Sequence, residues 1–202
     1  MSSLSRWVLP TMVVTLLSAA IAHAQGASPT DLAALGKKIF FDQSLSLTGT
    51  QSCASCHAPE AGFSGPNERF NRMGVYEGAV HRRFGKRKPQ TAAYVGLSPV
   101  LHIEPKDRVP TFFGGSFWDG RATGRRLEDP LAEQAQAPLL NAIEQALPDN
   151  ACVVQRVCAS SYAELYERVS PETCRIPALT SFTCGKGRTP KLDAKARHQC
   201  FE

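Results

Sequence analysis

The sequence predicts a mainly α-helical, loop-rich protein with few or no strands. Residues 28–42 and 127–147 carry apolar side chains at helical spacing. Between them, from Ala58 to Gly120, glycine and proline are frequent and no period is sustained. So long a loop region is unusual in a domain whose core is built from side chains alone. We therefore expect a large apolar cofactor to supply part of the core.

The first 24 residues read as a signal peptide. Arg6 precedes an apolar run from Val8 to Ala22, and the small residues Ala22 and Ala24 stand before a predicted cleavage at Gln25. An uncleaved membrane anchor is the alternative, but the run is short for a spanning helix. The sequence thus predicts export to the periplasm, without stable membrane insertion after cleavage.

The first predicted helix begins after Ser28 or Thr30, either of which can act as its N-cap. Leu32, Leu35 and Ile39 fall on one face at helical spacing. A polar loop follows and leads into a cysteine motif.

That motif is Cys-x-x-Cys-His, formed by Cys53, Cys56 and His57. Covalent haem c needs two thiols on one turn and an adjacent imidazole that binds iron. A reducible dithiol would not need His57. A structural zinc site needs four ligands, and no second cysteine pair lies at a fitting distance. The motif therefore predicts one covalent haem c, with His57 as the proximal iron ligand.

The second axial ligand of the iron is left open by the residues alone. His81, His102 and Met73 follow in the loop region, whereas His198 lies in an irregular tail. A second histidine would hold the reduction potential low, and methionine would raise it.

Charge indicates the kind of partner. The formal net charge is +5, and part of the excess lies in "HRRFGKRK", residues 81–88. This run is either a solvated loop or a docking face for an acidic protein. Nucleic acid is not expected as a partner, because the chain is exported and has no interleaved aromatic platform.

Two further helices are predicted towards the C-terminus. One starts at Asp129 and Pro130 and is interrupted by Pro138. The other has a capping box of Ser161 with Glu164. Its apolar stripe comprises Tyr162, Leu165 and Val169.

Seven cysteines are present, and five of them lie in the last quarter of the chain: Cys152, Cys158, Cys174, Cys184 and Cys200. An odd number of exported thiols cannot all pair within the chain. After Cys174 the sequence has no clear period and few large apolar residues.

The order of motifs resembles the bacterial di-haem cytochrome c peroxidases. The resemblance runs from Asp31 to about Cys174 and is carried by "LGKKIFFDQSLSLTGTQSCASCHAPEAGFSG", "GKRKPQTAAY" and "FFGGSFWDGRATGRRLEDPLAEQAQAPLLNAIEQAL". It implies a cytochrome c-like haem domain over residues 25–150. Residues 151–202 would then start a second such domain and run into an irregular tail.

The resemblance also implies a reaction. Such proteins reduce hydrogen peroxide with electrons from a small redox protein, either a c-type cytochrome or a copper protein. By resemblance, Cys53, Cys56 and His57 hold an N-terminal haem that receives electrons. A second haem, expected in the full-length family, carries the reaction with peroxide.

Three further residues take roles from the resemblance. His81 matches the distal histidine that binds the iron. Trp118, in "FWDGR", matches the tryptophan between the two haems. Glu144, in "NAIEQ", matches the acid that assists O–O cleavage at the peroxide-reacting haem, and a carboxylate can move that proton.

This sequence departs from the family pattern in several ways. It has no second Cys-x-x-Cys-His, and we hypothesise a truncation or frameshift near Cys174. The alternative is a natural short variant whose tail disulfides cap the domain. Lysines stand in "GKRKPQT", where the family has a calcium-binding asparagine, and Gln145 stands where methionine is common.

Two functions follow. The first is a peroxidase, or its N-terminal half, in which Glu144 and Trp118 lack the haem that they serve. The alternative is a mono-haem c-type electron-transfer module with His57 and His81 as axial ligands. A lesser possibility follows relatives that oxidise residues of a partner protein, which also needs the second haem.

Overall fold

The computed structural model of the protein describes residues 27–180 and Cys184. The predicted signal peptide lies outside the described residues, as do His198 and Cys200 of the predicted tail. No helix within the described part is long and apolar enough to cross a membrane.

Between residues 27 and 180 the chain forms seven α-helices and one two-stranded antiparallel sheet. The helices are α1 (Pro29–Phe41), α2 (Cys53–Cys56), α3 (Glu68–Met73), α4 (Pro130–Leu140), α5 (Asn150–Cys158), α6 (Ala163–Val169) and α7 (Pro177–Thr180), and the strands are β1 (His102–Lys106) and β2 (Val109–Phe113). Short 3-10 turns and loops connect them. The predicted mainly helical, loop-rich class is confirmed.

The start of α1 follows the sequence signal. The Ser28 side chain accepts a hydrogen bond from the backbone N–H of Thr30, and Pro29 occupies the first turn, so Ser28 is the N-cap. Leu35 is buried, but Leu32 is 50% exposed. The buried face of α1 is therefore narrower than the predicted stripe.

The main core cluster joins α1 to the C-terminal helices. Leu35 of α1 and Leu45 pack with Val157 of α5 and with Tyr162, just before α6. The half-buried residues around this cluster are Ile39, Leu139, Leu165, Tyr166 and Val169. Within residues 27–180, packing thus runs without a break across the predicted domain boundary at residue 150.

The predicted capping box of α6 is not formed. The helix begins at Ala163 after Tyr162, which has no side-chain cap bond. Instead, the Ser160 hydroxyl accepts from the backbone N–H of Tyr162 at 3.2 Å. The helix starts one residue later than predicted, so Tyr162 and not Ser161 occupies the N-cap position.

Two disulfides fasten the segment that follows α6. Cys152 pairs with Cys184, and Cys158 pairs with Cys174. Both bonds start on α5, so this helix anchors the C-terminal part of the described chain. A cross-link of this kind stabilises a fold mainly by restricting the unfolded chain.

Replacing Tyr162 by phenylalanine is expected to lower the free energy of unfolding by about 1–2 kcal/mol. The Tyr162 hydroxyl donates to Asp42 Oδ2 at 2.5 Å, and Tyr162 is only 8% exposed. The substitution leaves Asp42 Oδ2 without this donor, whereas Oδ1 keeps its bond from the Ser44 backbone N–H. Urea unfolding would measure the loss, with Tyr94→Phe as the control because Tyr94 is 85% exposed. Equal stability of Tyr162→Phe and the unsubstituted protein would contradict this account.

Candidate haem-binding site

A cavity of about 1330 Å³ lies between α1, α2, α4 and the loops that join them. Its wall includes Cys53, Cys56 and His57. Pockets for drug-sized ligands usually measure about 300–1,000 Å³. The cavity is therefore large enough for a bulky cofactor, as expected from the long loop region.

The cysteine motif occupies one helical turn. Cys53 and Cys56 begin and end α2, and both thiols are free. The backbone N–H of His57 donates to the Cys53 carbonyl at 2.9 Å, which closes the turn. The backbone N–H of Ser52 donates to the Ser55 hydroxyl at 3.0 Å. Both thiols and the imidazole thus belong to one rigid turn at the cavity wall.

The His57 ring is oriented by the loop that follows it. Its Nδ1 lies 3.2 Å from the carbonyl oxygen of Phe63. Two backbone hydrogen bonds close that loop. The N–H of Ala58 donates to the Ser64 carbonyl at 2.9 Å, and the N–H of Phe63 donates to the Ala58 carbonyl at 2.8 Å. With the proton on Nδ1 donated to Phe63, Nε2 keeps its lone pair for iron.

Burial governs the ionisation of the two thiols. It raises the pKa of Cys53, and it raises the pKa of Cys56 to about 11. The amide Nε2 of Gln51 donates to Cys56 Sγ at 3.3 Å and opposes this effect only in part. Both thiols are therefore neutral at neutral pH.

The chemistry of the wall fits a haem. Its aromatic residues are Phe40, Phe41, Phe63, Tyr76, Phe117 and Trp118. Its cations, which can neutralise two propionates, are Lys37, Lys86, Arg87, Lys88 and Arg121. Ser116 is 5% exposed and its hydroxyl has no partner among the described residues. A polar group of a bound cofactor, or water held with it, would satisfy that hydroxyl.

Glu144 lies in the same cavity as the motif. It belongs to a tight turn after α4, and Asn141 Nδ2 donates to its Oε1 at 2.8 Å. Burial raises the pKa of Glu144, whereas the charge of Arg121 and the bond from Asn141 lower it. The resemblance implied that Glu144 serves a haem outside this chain, whereas the structure places it at the wall that also holds the cysteine motif. The carboxyl group faces the site formed by Cys53, Cys56 and His57.

His81, predicted as the distal ligand, is not brought into the cavity. Its side chain is 81% exposed, and Nδ1 lies 2.8 Å from Glu77 Oε1. His102 stacks on Phe113 of the hairpin, and Met73 is 49% exposed. Among the described residues, His57 is the only histidine at the cavity wall, and no methionine lies there. The expected His57–His81 pair is thus not met in this structure.

Trp118 lies at the cavity wall but is 60% exposed. Its Nε1 donates to the backbone carbonyl of Lys88 at 3.0 Å. The next residue, Asp119, binds Arg87 at 3.0 Å and Arg121 at 2.8 Å, and these bonds lower its pKa to about 2. An ion-paired loop thus holds the indole between the cavity and the surface.

Sequence reasoning missed several wall residues. The inner face of α4 presents Leu131, Gln134, Ala135 and Pro138 to the cavity. Their spacing is that of one helical face, which the sequence does show. Asn141 and Arg121 had no comparable signal, because each acts through a turn.

A Cys-x-x-Cys-His turn beside such a cavity defines the class of c-type haem proteins. A profile of the di-haem cytochrome c peroxidases matches residues 30–185. The chain therefore belongs to the di-haem cytochrome c peroxidase family. The match extends beyond Cys174, where the resemblance had been expected to end.

Individual relatives agree with this. Methylamine utilization protein MauG of Paracoccus denitrificans is 40% identical over 146 residues, which are 71% of this chain and 35% of MauG. Cytochrome c peroxidase Ccp of Escherichia coli is 38% identical over 120 residues, 58% of this chain and 20% of Ccp. The diheme peroxidase BthA of Burkholderia thailandensis superposes with a TM-score of 0.62 at 32% identity, covering 74% of this chain and 34% of BthA. The chain thus spans about a third or less of each of these relatives.

Replacing His81 by alanine is expected to leave the visible spectrum of the ferric haem protein unchanged, because this imidazole lies outside the cavity. His102→Ala is the matched control, since His102 also lies outside the wall. Loss of a low-spin spectrum in His81→Ala alone would contradict the placement of His81.

Proposed function

We propose that the protein is a periplasmic peroxidase and that the haem held by Cys53, Cys56 and His57 is the one that meets hydrogen peroxide. The observation that carries this proposal is the position of Glu144. Its half-buried carboxyl group shares a cavity with the haem-attachment turn. The resemblance implied a different role for this haem, which was only to receive electrons.

Each residue has a distinct task in the proposed reaction. Cys53 and Cys56 would form the two thioether links, and His57 Nε2 would bind the iron. A haem held in this way would supply the redox centre for peroxide reduction. Glu144 takes the proton from one peroxide oxygen and gives it to the other, so that the O–O bond breaks with water as the leaving group. Two electrons and two further protons complete the reduction to two waters.

The positions of the histidines support the proposal that peroxide reacts at this haem. A bis-histidine iron has no free position for peroxide, and His81 is turned away to the surface. Since His57 is the only histidine at the described wall, no second imidazole there would compete with peroxide for an iron held by His57. The electron-transfer alternative would need a second ligand from this wall.

Trp118 is the proposed route for electrons. Its ring touches both the cavity and the surface, so it can relay electrons from a small donor, either a c-type cytochrome or a copper protein. The basic run at residues 81–88 would attract an acidic donor, since six of its eight residues are basic or histidine and most are exposed.

The two disulfides support the periplasmic assignment. Cytochrome maturation and stable disulfides both belong to oxidising compartments. The pairs Cys152–Cys184 and Cys158–Cys174 fit such a place. The predicted signal peptide over residues 1–24 agrees with export to this compartment.

The test is peroxide consumption by the exported haem protein with a reduced cytochrome or copper protein as donor. Haem staining and mass measurement would first give the number of haems. Turnover that depends on both peroxide and donor is the expected result. A haem-loaded protein that accepts electrons but consumes no peroxide would favour the electron-transfer module instead.

A further inference from the structure

Asn141 stands between the end of α4 and Glu144 and makes hydrogen bonds in both directions. Its backbone N–H donates to the Ala137 carbonyl at 3.1 Å, where the helix ends. Its side-chain Oδ1 accepts from the backbone N–H of Ile143 at 3.0 Å, which makes an Asx turn. Its Nδ2 donates to Glu144 Oε1 at 2.8 Å. One amide thus shapes the turn with its oxygen and holds the carboxylate with its nitrogen.

The turn has further support that does not depend on the Asn141 side chain. The backbone carbonyl of Asn141 accepts from the N–H groups of Glu144 and Ala146, both at 2.9 Å. The carbonyl of Glu144 accepts from the N–H of Ala79 at 2.8 Å. Arg83 Nη1 donates to the Ala142 carbonyl at 3.0 Å. A change confined to the Asn141 amide therefore leaves most of the turn in place.

We propose, on the basis of the proposed function, that Asn141 is the positioning residue of Glu144. Its amide N–H fixes Oε1 and so leaves Oε2, which makes no hydrogen bond to the described residues, to exchange protons with the substrate. A carboxylate that must serve two peroxide oxygens in turn needs a defined direction.

The electrostatics of the site agree with this role. Burial raises the pKa of Glu144, and the Asn141 bond is one of two effects that lower it, the other being the charge of Arg121. Two other charged side chains lie near the turn, Glu77 and Arg83, both on the loop that packs against it. The two thiols of α2 also lie nearby, but they do not titrate once they are thioethers. Loss of the Asn141 donor leaves the effect of burial less opposed, so the carboxyl group must protonate at a higher pH.

Two substitutions separate the donor from the turn. Asn141→Asp keeps an oxygen that can accept from Ile143, removes the donor and adds a negative charge. Asn141→Ser keeps a shorter acceptor and also removes the donor. Asn150→Asp is the matched control, because Asn150 is exposed at the start of α5. None of these changes touches a residue that binds the haem.

The first measurement is an infrared titration of the carboxyl group in the haem-loaded protein, with the Glu144 band assigned by its loss in Glu144→Gln. We expect the midpoint to move upward by about one pH unit in Asn141→Ser and further in Asn141→Asp. Asn150→Asp should match the unsubstituted protein. An unmoved midpoint in both Asn141 variants overturns the proposal.

The second measurement is the pH profile of peroxide turnover. Its acid limb should move upward with the infrared midpoint, and adding Asn141→Ser to Glu144→Gln should change nothing further. An additional loss in the double variant overturns the positioning role. If Glu144→Gln turns over peroxide as fast as the unsubstituted protein, the proposed function fails, while the infrared titration still decides the role of Asn141.

Discussion

Replacing Glu144 by glutamine is expected to lower kcat for peroxide reduction by about 10²–10⁴-fold. Glutamine has nearly the same shape and can keep a bond with Asn141, but it cannot accept and return a proton. The half-buried carboxyl group of Glu144 is the only acidic side chain on the turn after α4 that lines the cavity. The unsubstituted protein should lose activity as the pH falls through the raised pKa of Glu144, because the reaction starts from the carboxylate.

Glu60→Gln is the control for this experiment, since Glu60 is exposed just after the motif and lies outside the cavity wall. Its turnover should equal that of the unsubstituted protein. The spectrum of the haem should be the same in all three proteins. A Glu144→Gln variant that keeps both the rate and the acid limb would remove Glu144 from the reaction.

Adding one methyl group at Gly78 is expected to destabilise the protein by at least about 2 kcal/mol and to displace Glu144. A Cβ atom at Gly78 would lie 1.5 Å from the Ile143 carbonyl oxygen and 3.0 Å from that of Glu144. Both obstacles are backbone atoms, so a side-chain rotation cannot relieve the overlap. The loop at residues 77–79 must therefore separate from the turn that carries the carboxyl group.

Gly96→Ala is the control. Gly96 is exposed, lies outside the cavity wall, and a Cβ there would meet only Leu131 Cδ2 at 3.8 Å, an ordinary contact. Its stability should change by less than about 0.5 kcal/mol. Thermal unfolding and peroxide turnover should be measured on both variants. A Gly78→Ala protein with normal stability and normal turnover would contradict the close packing seen here.

The sequence predicted those features that depend on neighbours along the chain. The cap at Ser28, the start of α4 at Pro130 and the haem-attachment turn all follow from local chemistry. The hairpin of β1 and β2 was harder to predict, because its turn uses Asp107 and Arg108, both with positive φ. Such turns usually carry glycine or asparagine, so the usual hairpin signal was absent.

In the candidate site, too, residues that are adjacent in sequence were predicted better than residues brought together by folding. Cys53, Cys56 and His57 are adjacent in sequence, and their role followed from spacing alone. Glu144 was recognised only by resemblance, which paired it with a second haem. Its place beside α2 depends on how α4 and its turn fold back, and the sequence pattern does not show this. His81 was chosen by its place in the chain, but Glu77 holds its ring at the surface.

The cysteines also meet opposite demands in one compartment. Four must be oxidised to give the pairs anchored on α5, while Cys53 and Cys56 must stay reduced until haem is attached. Thiolates, not thiols, attack disulfides and oxidants. Since burial raises the pKa of both motif thiols, the fraction present as reactive thiolate is small at neutral pH. The paired cysteines of α5 and the two thiols of α2 thus differ in reactivity within one chain.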